Sequence, residues 1–428
     1  MKKAEITVFL SLIFILLVTF TGSVIESASI QVAKNYRRTD AVRAMECVFA
    51  EYQKELLEEY DLFGLDAGYE TGEYEKELLD RRLEYYGLVN SANTIERIQF
   101  LSDGGGSVFC DQVSLYMRHR YGLDYVKDKL AKTGQWKSQS DKIKDYEKAE
   151  RQNSQKLENI FKNSGIQLSD QNNPITDAEI LKQTPVLRLV MPKGTSVSEK
   201  KIVLNELPSY RELQQGYGDF SKENHSFGTV DKLLLGEYLL EHFHSATDQT
   251  GNVLDYEIEY LIAGKNSDRE NLKTVANRLV MMRFVPNYAY LQGNTQKQAK
   301  AQTIALTLCT LLMIPEAAEV VAQGILLAWA YEDAIEDVKA LLGGRKVSFS
   351  KQGKDSLGYE DYLRILLFLG KKEETAMRAM DLIEQNLKKI QGQEFFRVDN
   401  CITKLEIRCR CSFRRGIHYM FPVYFGYQ

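Results

Sequence analysis

One uncharged run near the start of the chain limits its fold more than any other feature. Ile6–Ile25 contains twenty residues without a charged side chain, between Glu5 and Glu26. At a rise of about 1.5 Å per residue, a helix of this length spans roughly 30 Å, the thickness of the hydrocarbon core of a bilayer. The run therefore predicts a transmembrane helix with Ile6 and Ile25 at its two boundaries.

A cleaved signal peptide is the alternative interpretation of the same segment. Lys2 and Lys3 would form its basic region, and small residues at 21–23 or 27–29 would form its cleavage site. The uncharged run is longer than the apolar region of a usual signal peptide, so its length favours a retained anchor.

Basic residues on the two sides of the run indicate an orientation. Lys2 and Lys3 lie shortly before it, whereas Lys34, Arg37 and Arg38 lie farther beyond its end. Under the positive-inside rule, this arrangement favours a cytoplasmic N-terminus. We therefore expect a single-pass protein of the cell membrane whose large C-terminal part is extracytoplasmic.

The overall charge excludes one class of function. The 428 residues carry a formal net charge of −4, whereas a general nucleic-acid binder needs a basic face. Hydrophobic residues make up 44% of the chain, so most of it is expected to fold. The predicted partner is the membrane bilayer, and no nucleic-acid partner is predicted.

The N-terminal helix is predicted to continue beyond the membrane. Residues 26–60 contain no proline and no glycine, and apolar side chains recur there every three or four positions. This spacing predicts an amphipathic stalk helix that ends near Gly64. Its helix-packing residues are predicted to be Met45, Phe49, Tyr52 and Leu56.

Composition divides the chain into five consecutive segments. These are a membrane anchor (1–25), a stalk helix (26–64), a helical region (65–165), a loop-rich insertion or boundary (166–228) and a helical core with C-terminal strands (229–428). The loop-rich segment is placed by four of the seven prolines, which lie between Asn173 and Pro208. It includes a β-like run, Val186–Val190.

The helical region has three predicted parts. Residues 73–101 are predicted to form one or two helices, and residues 127–161 a solvated helix or a spacer. The glycines of 102–106 lack both the P-loop and the dinucleotide-binding spacing, which favours a plain turn.

Residues 301–331 form the second most apolar region of the chain. Pro315, Glu316 and Glu319 interrupt it, and no uncharged run in it is long enough for a membrane span. Two packed core helices are therefore predicted. Before them, Ser267 is expected to cap a helix, with Glu270 as its partner three residues later.

The C-terminal part has the composition of strands. Ile407, Cys409 and Cys411 alternate with Arg408 and Arg410, which predicts a strand with one apolar face. The expected fold class is mainly α (α+β). An N-terminal transmembrane helix continues into a long amphipathic helix, and a helical body carries a small antiparallel sheet near the C-terminus.

Three of the six cysteines fall in the last 28 residues of the chain. An extracytoplasmic location would permit a disulfide among Cys401, Cys409 and Cys411, and packing on a strand face is the alternative. No CxxC motif and no zinc-ligand spacing occurs in the sequence.

No arrangement of residues in the sequence points to catalysis. His242 and His244 form a close pair, but positions i and i+2 of a helix face different sides and do not share a metal easily. The carboxylates of YEIEYLIAGKNSDRENL could be paired for acid–base work, but runs of this kind usually form a solvated strand or helix face. We therefore predict no enzyme activity, catalytic residue, metal ligand, cofactor or small-molecule substrate.

Several segments together resemble a known family. The most specific is DYEIEYLIAGKNSDRENLKTVANRLVMM, and others are FLSDGGGSVFCDQVSLYMRHRYGL, GYEDYLRILLFL and FRVDNC. The chain resembles an uncharacterised bacterial family of unknown function whose members carry an N-terminal membrane helix. That family is similar to the TadE/TadG-type pseudopilins of tight-adherence (Flp-type) pilus systems.

The resemblance implies a structural role. Such pseudopilins have one N-terminal span and an extracytoplasmic domain, and Glu5 invites comparison with the pilin glutamate that pairs with a neighbour's N-terminal amine. The leading hypothesis is an assembly or structural component of a tight-adherence-type pilus or secretion system, with other components of that system as partners. The alternative is a membrane-anchored ligand-binding or sensor module with a pocket near residues 173–208.

Overall fold

A single helix of 48 residues, α1 (Lys2–Phe49), begins the chain. The computed structural model describes residues 2–427 except 70, 123, 165–179, 182, 223–226, 249–251, 313, 350, 352–354 and 414–415; the side chains of residues 2–5 and of some residues between 146 and 164 are also outside the description. The apolar side chains of Ile6–Ile25 are exposed, and one face of α1 becomes buried from Ala41 onward.

The remaining elements follow in chain order. Those before the middle of the chain are α2 (Lys54–Tyr60), β1 (Leu65–Asp66), α3 (Lys76–Tyr85), β2 (Ser91–Phe100) and α4 (Asp103–Tyr121). The middle is helical, with α5 (Lys127–Ser164), α6 (Val186–Val190), α7 (Thr229–His242), α8 (Glu257–Ala263), α9 (Asp268–Gly293), α10 (Thr295–Leu311) and α11 (Ala318–Leu342). The last elements are β3 (Val347–Ser348), β4 (Ser356–Leu357), α12 (Tyr359–Leu369), α13 (Lys372–Leu387), β5 (Cys401–Ser412) and β6 (His418–Gly426).

The predicted fold class is confirmed. Most of the described residues are helical, and the strands form small antiparallel sheets. The solvated helix predicted over 127–161 is present as α5.

The chain forms two compact units. The sheet unit contains Met1–Gln112, Glu212–His225 and Leu387–Gln428, and the helical unit contains Val113–Arg211 and Ser226–Asn386. This division differs from the five consecutive segments expected from composition, because the C-terminal strands belong with the N-terminal residues. The pairing of β2 with β5 joins opposite ends of the sequence and therefore leaves no local signal.

The sheet unit is built around β5. On one side β2 pairs antiparallel with it, and on the other side β6 pairs antiparallel, with Arg408 opposite Pro422. β1 pairs with the first two residues of β5. Ile407 is buried and Arg408 is exposed, as the alternation in the sequence predicted.

The second half of α1 packs against the buried face of this sheet. Met45 and Phe49 are each 1% exposed and belong to the same apolar core as Ile407 of β5 and Phe421 of β6. The ring of Phe49 lies 4.5 Å from the ring of Phe425. Burial of this helix face thus fixes α1 to the sheet.

α1 ends at Phe49, whereas the sequence predicted one helix to about Gly64. The chain turns over residues 50–53 and resumes as α2. Leu56 of α2 is fully buried, so the spacing of apolar side chains continues across the turn and conceals it from a periodicity argument.

The prediction of a helix at residues 91–101 was wrong, because this segment forms β2. A bulge shifts the pairing of β2 with β5 between Ile95 and Arg97. The buried residues Ile95 and Ile98 are therefore three positions apart instead of two. An apolar spacing of three is what a helix would show, and it misled the sequence interpretation.

α9 is the central helix of the helical unit, in contact with α5, α6, α8, α10 and α11. Its N-cap is Ser267, whose hydroxyl accepts a hydrogen bond from the N–H of Glu270, as predicted. Arg283 of α9 is fully buried and donates to Asp337 Oδ2 at 2.9 Å and to the hydroxyl of Tyr362 at 2.9 Å. These bonds satisfy a charge that would otherwise be costly to bury.

Two of the remaining predictions have opposite outcomes. The apolar region 301–331 forms α10 and α11, which pack against each other as predicted, with a 3₁₀ turn at Pro315–Ala317 between them. The β-like run Val186–Val190 is the short helix α6 instead. Periodicity does not distinguish a short apolar strand from a buried helical turn of this length.

All six cysteines lie in the described part of the chain, and none of them forms a disulfide. The bridge considered among Cys401, Cys409 and Cys411 is absent because all three residues lie on β5. Side chains on one strand face repeat about every 7 Å, whereas the Cβ atoms of a disulfide are about 4 Å apart. Cys409 and Cys411 are instead core residues.

Replacing a core residue of β5 tests the register of the sheet. Ile407→Ala is expected to lower the free energy of unfolding by about 2–5 kcal/mol, since it leaves a cavity in the sheet-unit core. Arg408→Ala, on the opposite face, is expected to cost less than about 1 kcal/mol. Urea denaturation followed by circular dichroism measures both, and equal losses would contradict the register.

Candidate functional site

The described residues contain one helix that is long and apolar enough to cross a membrane. The most apolar 18-residue window of α1 has a mean hydropathy of 2.6, and none of that window is buried by the rest of the protein. Phe14 is 68% exposed and Phe20 is 66% exposed. Such a continuous apolar surface is suited to lipid rather than water.

The polar side chains of the apolar segment are satisfied within the helix. Ser11 donates to the carbonyl of Thr7 at 2.9 Å, and Thr21 donates to the carbonyl of Leu17 at 2.7 Å. Ser23 likewise donates to the carbonyl of Thr19 at 2.9 Å. In lipid no water is present to satisfy hydroxyl groups, so these internal bonds favour insertion into a bilayer.

α1 is continuous through both predicted boundaries of the span, Ile6 and Ile25. Of the predicted helix-packing residues, Met45 and Phe49 lie on α1 in the sheet-unit core, and Leu56 is buried on α2. Tyr52 differs, because it lies in the turn between the two helices and is 38% exposed.

An open cleft of about 730 Å³ lies between α5 and α9 in the helical unit. Its α5 wall includes Gln139 and Lys142, its α9 wall includes Pro286 and Tyr290, and Phe349 completes the lining. Clefts of about 300–1,000 Å³ with apolar walls and a few polar groups are typical of small-molecule sites.

A second cleft, of about 480 Å³, adjoins the same segment of α5. Its charged side chains are already paired: Lys132 lies 3.3 Å from Asp355, and Lys129 and Arg364 both contact Glu237. These ion pairs leave little uncompensated charge for a ligand, so the first cleft is the better candidate for binding.

The segment of residues 173–208, near which a pocket was predicted, is only partly described. Residues 173–179 and 182 lie outside the description. The described residues of this segment line neither of the two clefts.

Buried carboxylates occupy the segment that the sequence placed on a solvated face. Glu257 and Glu259 of α8 are fully buried. Glu257 Oε2 accepts from the N–H of His244 at 3.0 Å, and Glu259 Oε1 accepts from the N–H of Ala246 at 3.0 Å. The two side chains thereby hold the loop after α7 against α8.

Asp268 and Asp381 hold two further loops in the same way. Asp268 Oδ2 accepts from the N–H of Asp255 at 2.9 Å and from the hydroxyl of Ser198 at 2.6 Å. Asp381 accepts from both the N–H and the hydroxyl of Ser209, at 2.8 and 2.6 Å. The four residues Glu257, Glu259, Asp268 and Asp381, called the loop-holding carboxylates, therefore bind protein groups and line neither cleft.

Burial raises the pKa of two of these carboxyl groups strongly. The pKa of Glu259 is raised to about 7, because desolvation outweighs the hydrogen bonds that it accepts from Tyr359 and Ala246. Desolvation likewise raises the pKa of Asp381 to about 6, against the bonds from Ser209 and Tyr260. Sequence patterning missed Glu259, because alternation of apolar and charged residues in YEIEYLIA resembles a half-exposed face.

The histidine pair singled out in the sequence has separate partners. His242 stacks on the ring of Tyr238, with centroids 4.2 Å apart, and its Nδ1 lies 3.0 Å from the carbonyl of Tyr238. His244 Nδ1 lies 3.2 Å from a carboxylate oxygen of Asp248. Within the described ranges, no group of three or more His, Cys, Asp or Glu side chains is placed to hold a metal ion.

Comparison with known proteins gives one finding. The model of DUF5702, described as a family of unknown function, matches residues 164–356 and 350–413, which is more than half of the chain. The match includes the segment over α8 and α9 that carried the family resemblance. No curated protein and no solved structure matches the chain.

The raised pKa of Glu259 predicts a pH-dependent stability. The pKa of Glu259 is about 4.5 in the unfolded protein and about 7 in the folded protein. The protonated form therefore favours the folded state, and the free energy of unfolding declines as the pH rises from about 4.5 to 7. The full effect is about 3 kcal/mol. Glu259→Gln, which is neutral at every pH, should remove this part of the decline.

Denaturation of both proteins between pH 4 and pH 8 measures the effect. Asp381 has a pKa shift in the same direction and remains in both proteins, so the informative quantity is the difference between the two curves. Parallel curves would show that Glu259 does not titrate as described.

Proposed function

We propose that this chain, which belongs to the DUF5702 family of unknown function, is a non-enzymatic single-span envelope protein. The observation that carries the proposal is the division of α1 into two halves. The half with Ile6–Ile25 is exposed, apolar and internally hydrogen-bonded, and the half that ends at Phe49 is part of the sheet-unit core. One helix thus joins a membrane segment to a folded unit without an intervening turn.

Charge near the apolar segment supports an N-terminus in the cytoplasm. Lys2 and Lys3 lie within four residues of Ile6, and the first basic residue after the segment is Lys34. In this orientation the residues that follow α1 are extracytoplasmic.

We further propose that the protein takes part in assembling or anchoring a pilus or secretion apparatus of the tight-adherence type. An exposed apolar helix of this length has room for lateral packing against the helices of partner proteins in the bilayer. The resemblance to TadE/TadG-type pseudopilins supports this role. The comparison of Glu5 with the pilin glutamate involves a side chain outside the described residues.

A ligand-binding role is the second candidate. The observation that favours it is the cleft of about 730 Å³ between α5 and α9. It is compatible with membrane anchoring, since the cleft lies in the helical unit and the anchor in the sheet unit.

A charge in the apolar segment tests the anchor. Leu16 is 64% exposed near the middle of the segment, so Leu16→Arg is expected to cost about 3 kcal/mol in the bilayer core. The fraction of protein that resists alkaline carbonate extraction should fall for Leu16→Arg and should not change for the control Leu16→Met.

Equal retention of both variants would show that α1 is not the anchor. A mature protein that lacks residues 1–25, as determined by mass spectrometry, would instead support the cleaved signal peptide. Protease added to intact spheroplasts tests the orientation, because an extracytoplasmic domain is digested and a cytoplasmic one is protected.

Crosslinking in living cells tests the assembly role. A photo-reactive phenylalanine analogue at Phe14, on the exposed part of α1, is expected to capture a membrane component of a pilus or secretion system. The matched control is the same analogue at Phe49, which is 1% exposed on the same helix and should capture no other protein. If Phe14 captures lipid alone, the assembly role fails while anchoring still stands.

A further inference from the structure

A proline inside α9 leaves one carbonyl of that helix without its usual helical donor. Pro286 has no N–H, so it cannot donate to the carbonyl of Met282, four residues earlier in the helix. The side-chain amide of Gln139 replaces the missing donor, with Nε2 at 2.8 Å from that carbonyl. Gln139 is therefore held in place by a break in the hydrogen bonding of α9.

The side-chain oxygen of Gln139, unlike its side-chain nitrogen, has no hydrogen-bond partner in the described structure. Gln139 is 8% exposed and lines the cleft, and its Oε1 is buried and accepts no hydrogen bond within the described structure. A buried acceptor without a donor costs free energy, and a ligand that brings an N–H or O–H group would satisfy it.

Small side chains on both walls leave the cleft open. Gly134 on α5 and Gly293 on α9 both line it, and a Cβ added to either would meet no atom within 4 Å. Ser138 on α5 and Ala289 on α9 also line the cleft, and both have small side chains. The volume of about 730 Å³ thus follows from the choice of small residues on facing helices.

The other lining residues indicate the shape and charge of an occupant. Tyr290 and Phe349 present aromatic rings, which favour a flat apolar group. The backbone of Phe349 is fixed, since its carbonyl accepts from Arg283 at 3.0 Å and its N–H donates to Asp355 at 2.9 Å. Lys142 has no carboxylate partner among the described residues, in contrast to Lys129 and Lys132 of the same helix.

We propose that this cleft binds a planar aromatic organic anion that carries an N–H donor. The donor bonds to Gln139 Oε1, the ring lies between Phe349 and Tyr290, and the anionic group pairs with Lys142. The proposal rests on the ligand-binding role of the cleft. It does not depend on membrane anchoring, so failure of the ligand proposal leaves the anchoring role unaffected, and failure of anchoring leaves the ligand proposal unaffected.

Indole-3-acetate is a suitable probe because it combines a flat ring, one N–H and a carboxylate. Its matched control is indene-3-acetate, which has the same shape and charge but no N–H. The full-length protein in lipid nanodiscs is titrated with each compound by ligand-observed NMR, and empty nanodiscs correct for partition into lipid. We expect saturable binding of the indole with a Kd on the order of 1 mM or below.

The indene analogue should bind about tenfold more weakly, because it leaves Gln139 Oε1 unsatisfied. Lys142→Gln should also weaken binding of the indole, by about threefold or more, and the loss should be smaller at high salt. Equal affinity for the two probes would overturn the role of Gln139.

Filling the cleft tests its location. Ala289→Phe should abolish saturable binding, whereas Ala131→Phe adds the same ring to an exposed position of α5 that does not line the cleft and should leave binding unchanged. Gly293→Leu is a second filling variant, used if Ala289→Phe lowers the melting temperature. Binding that survives both filling variants, or an absence of saturable indole binding to the wild-type protein, would overturn the proposal.

Discussion

Carboxylates buried in the interior determine how the helical unit is held together. Glu257, Glu259, Asp268 and Asp381 each accept hydrogen bonds from the backbone of a loop, so loops without regular structure are attached to α8, α9 and α13. A loop N–H removed from water must find an acceptor, and an ionised carboxylate is the strongest that a side chain supplies. The opposing cost of desolvation appears in the raised pKa of Glu259 and of Asp381.

The sheet unit depends on a different constraint, which is that α1 has two environments. The face of α1 that contains Met45 is buried in a protein core, and the segment that contains Phe14 has no protein around it. A helix satisfies its own backbone in either environment, so it is suited to pass between them without a break. The sheet gains rigidity from the same helix, because β6 is packed against it.

The parts of the fold that could be predicted from sequence are those with a strong local signal. The apolar segment of α1, the solvated helix α5, the cap at Ser267 and the alternation in β5 are read from neighbouring residues. The bulge in β2 and the turn after Phe49 could not be predicted, because each leaves the spacing of buried residues looking helical. The position of the Gln139 side chain, whose Oε1 has no partner, depends on Pro286. These two residues are distant in the sequence, so neither composition nor periodicity could predict their relation.

The strand β6 has a consequence for contacts between copies of this protein under the proposed membrane anchoring. β6 pairs with β5 along one side, and Pro422 in its middle has no N–H to offer to a further strand. Proline at this place interrupts the row of donors by which sheets of neighbouring molecules join edge to edge. Anchoring of the proposed kind would raise the rate of encounter between neighbours, and a proline at this place would oppose extension of the sheet in those encounters.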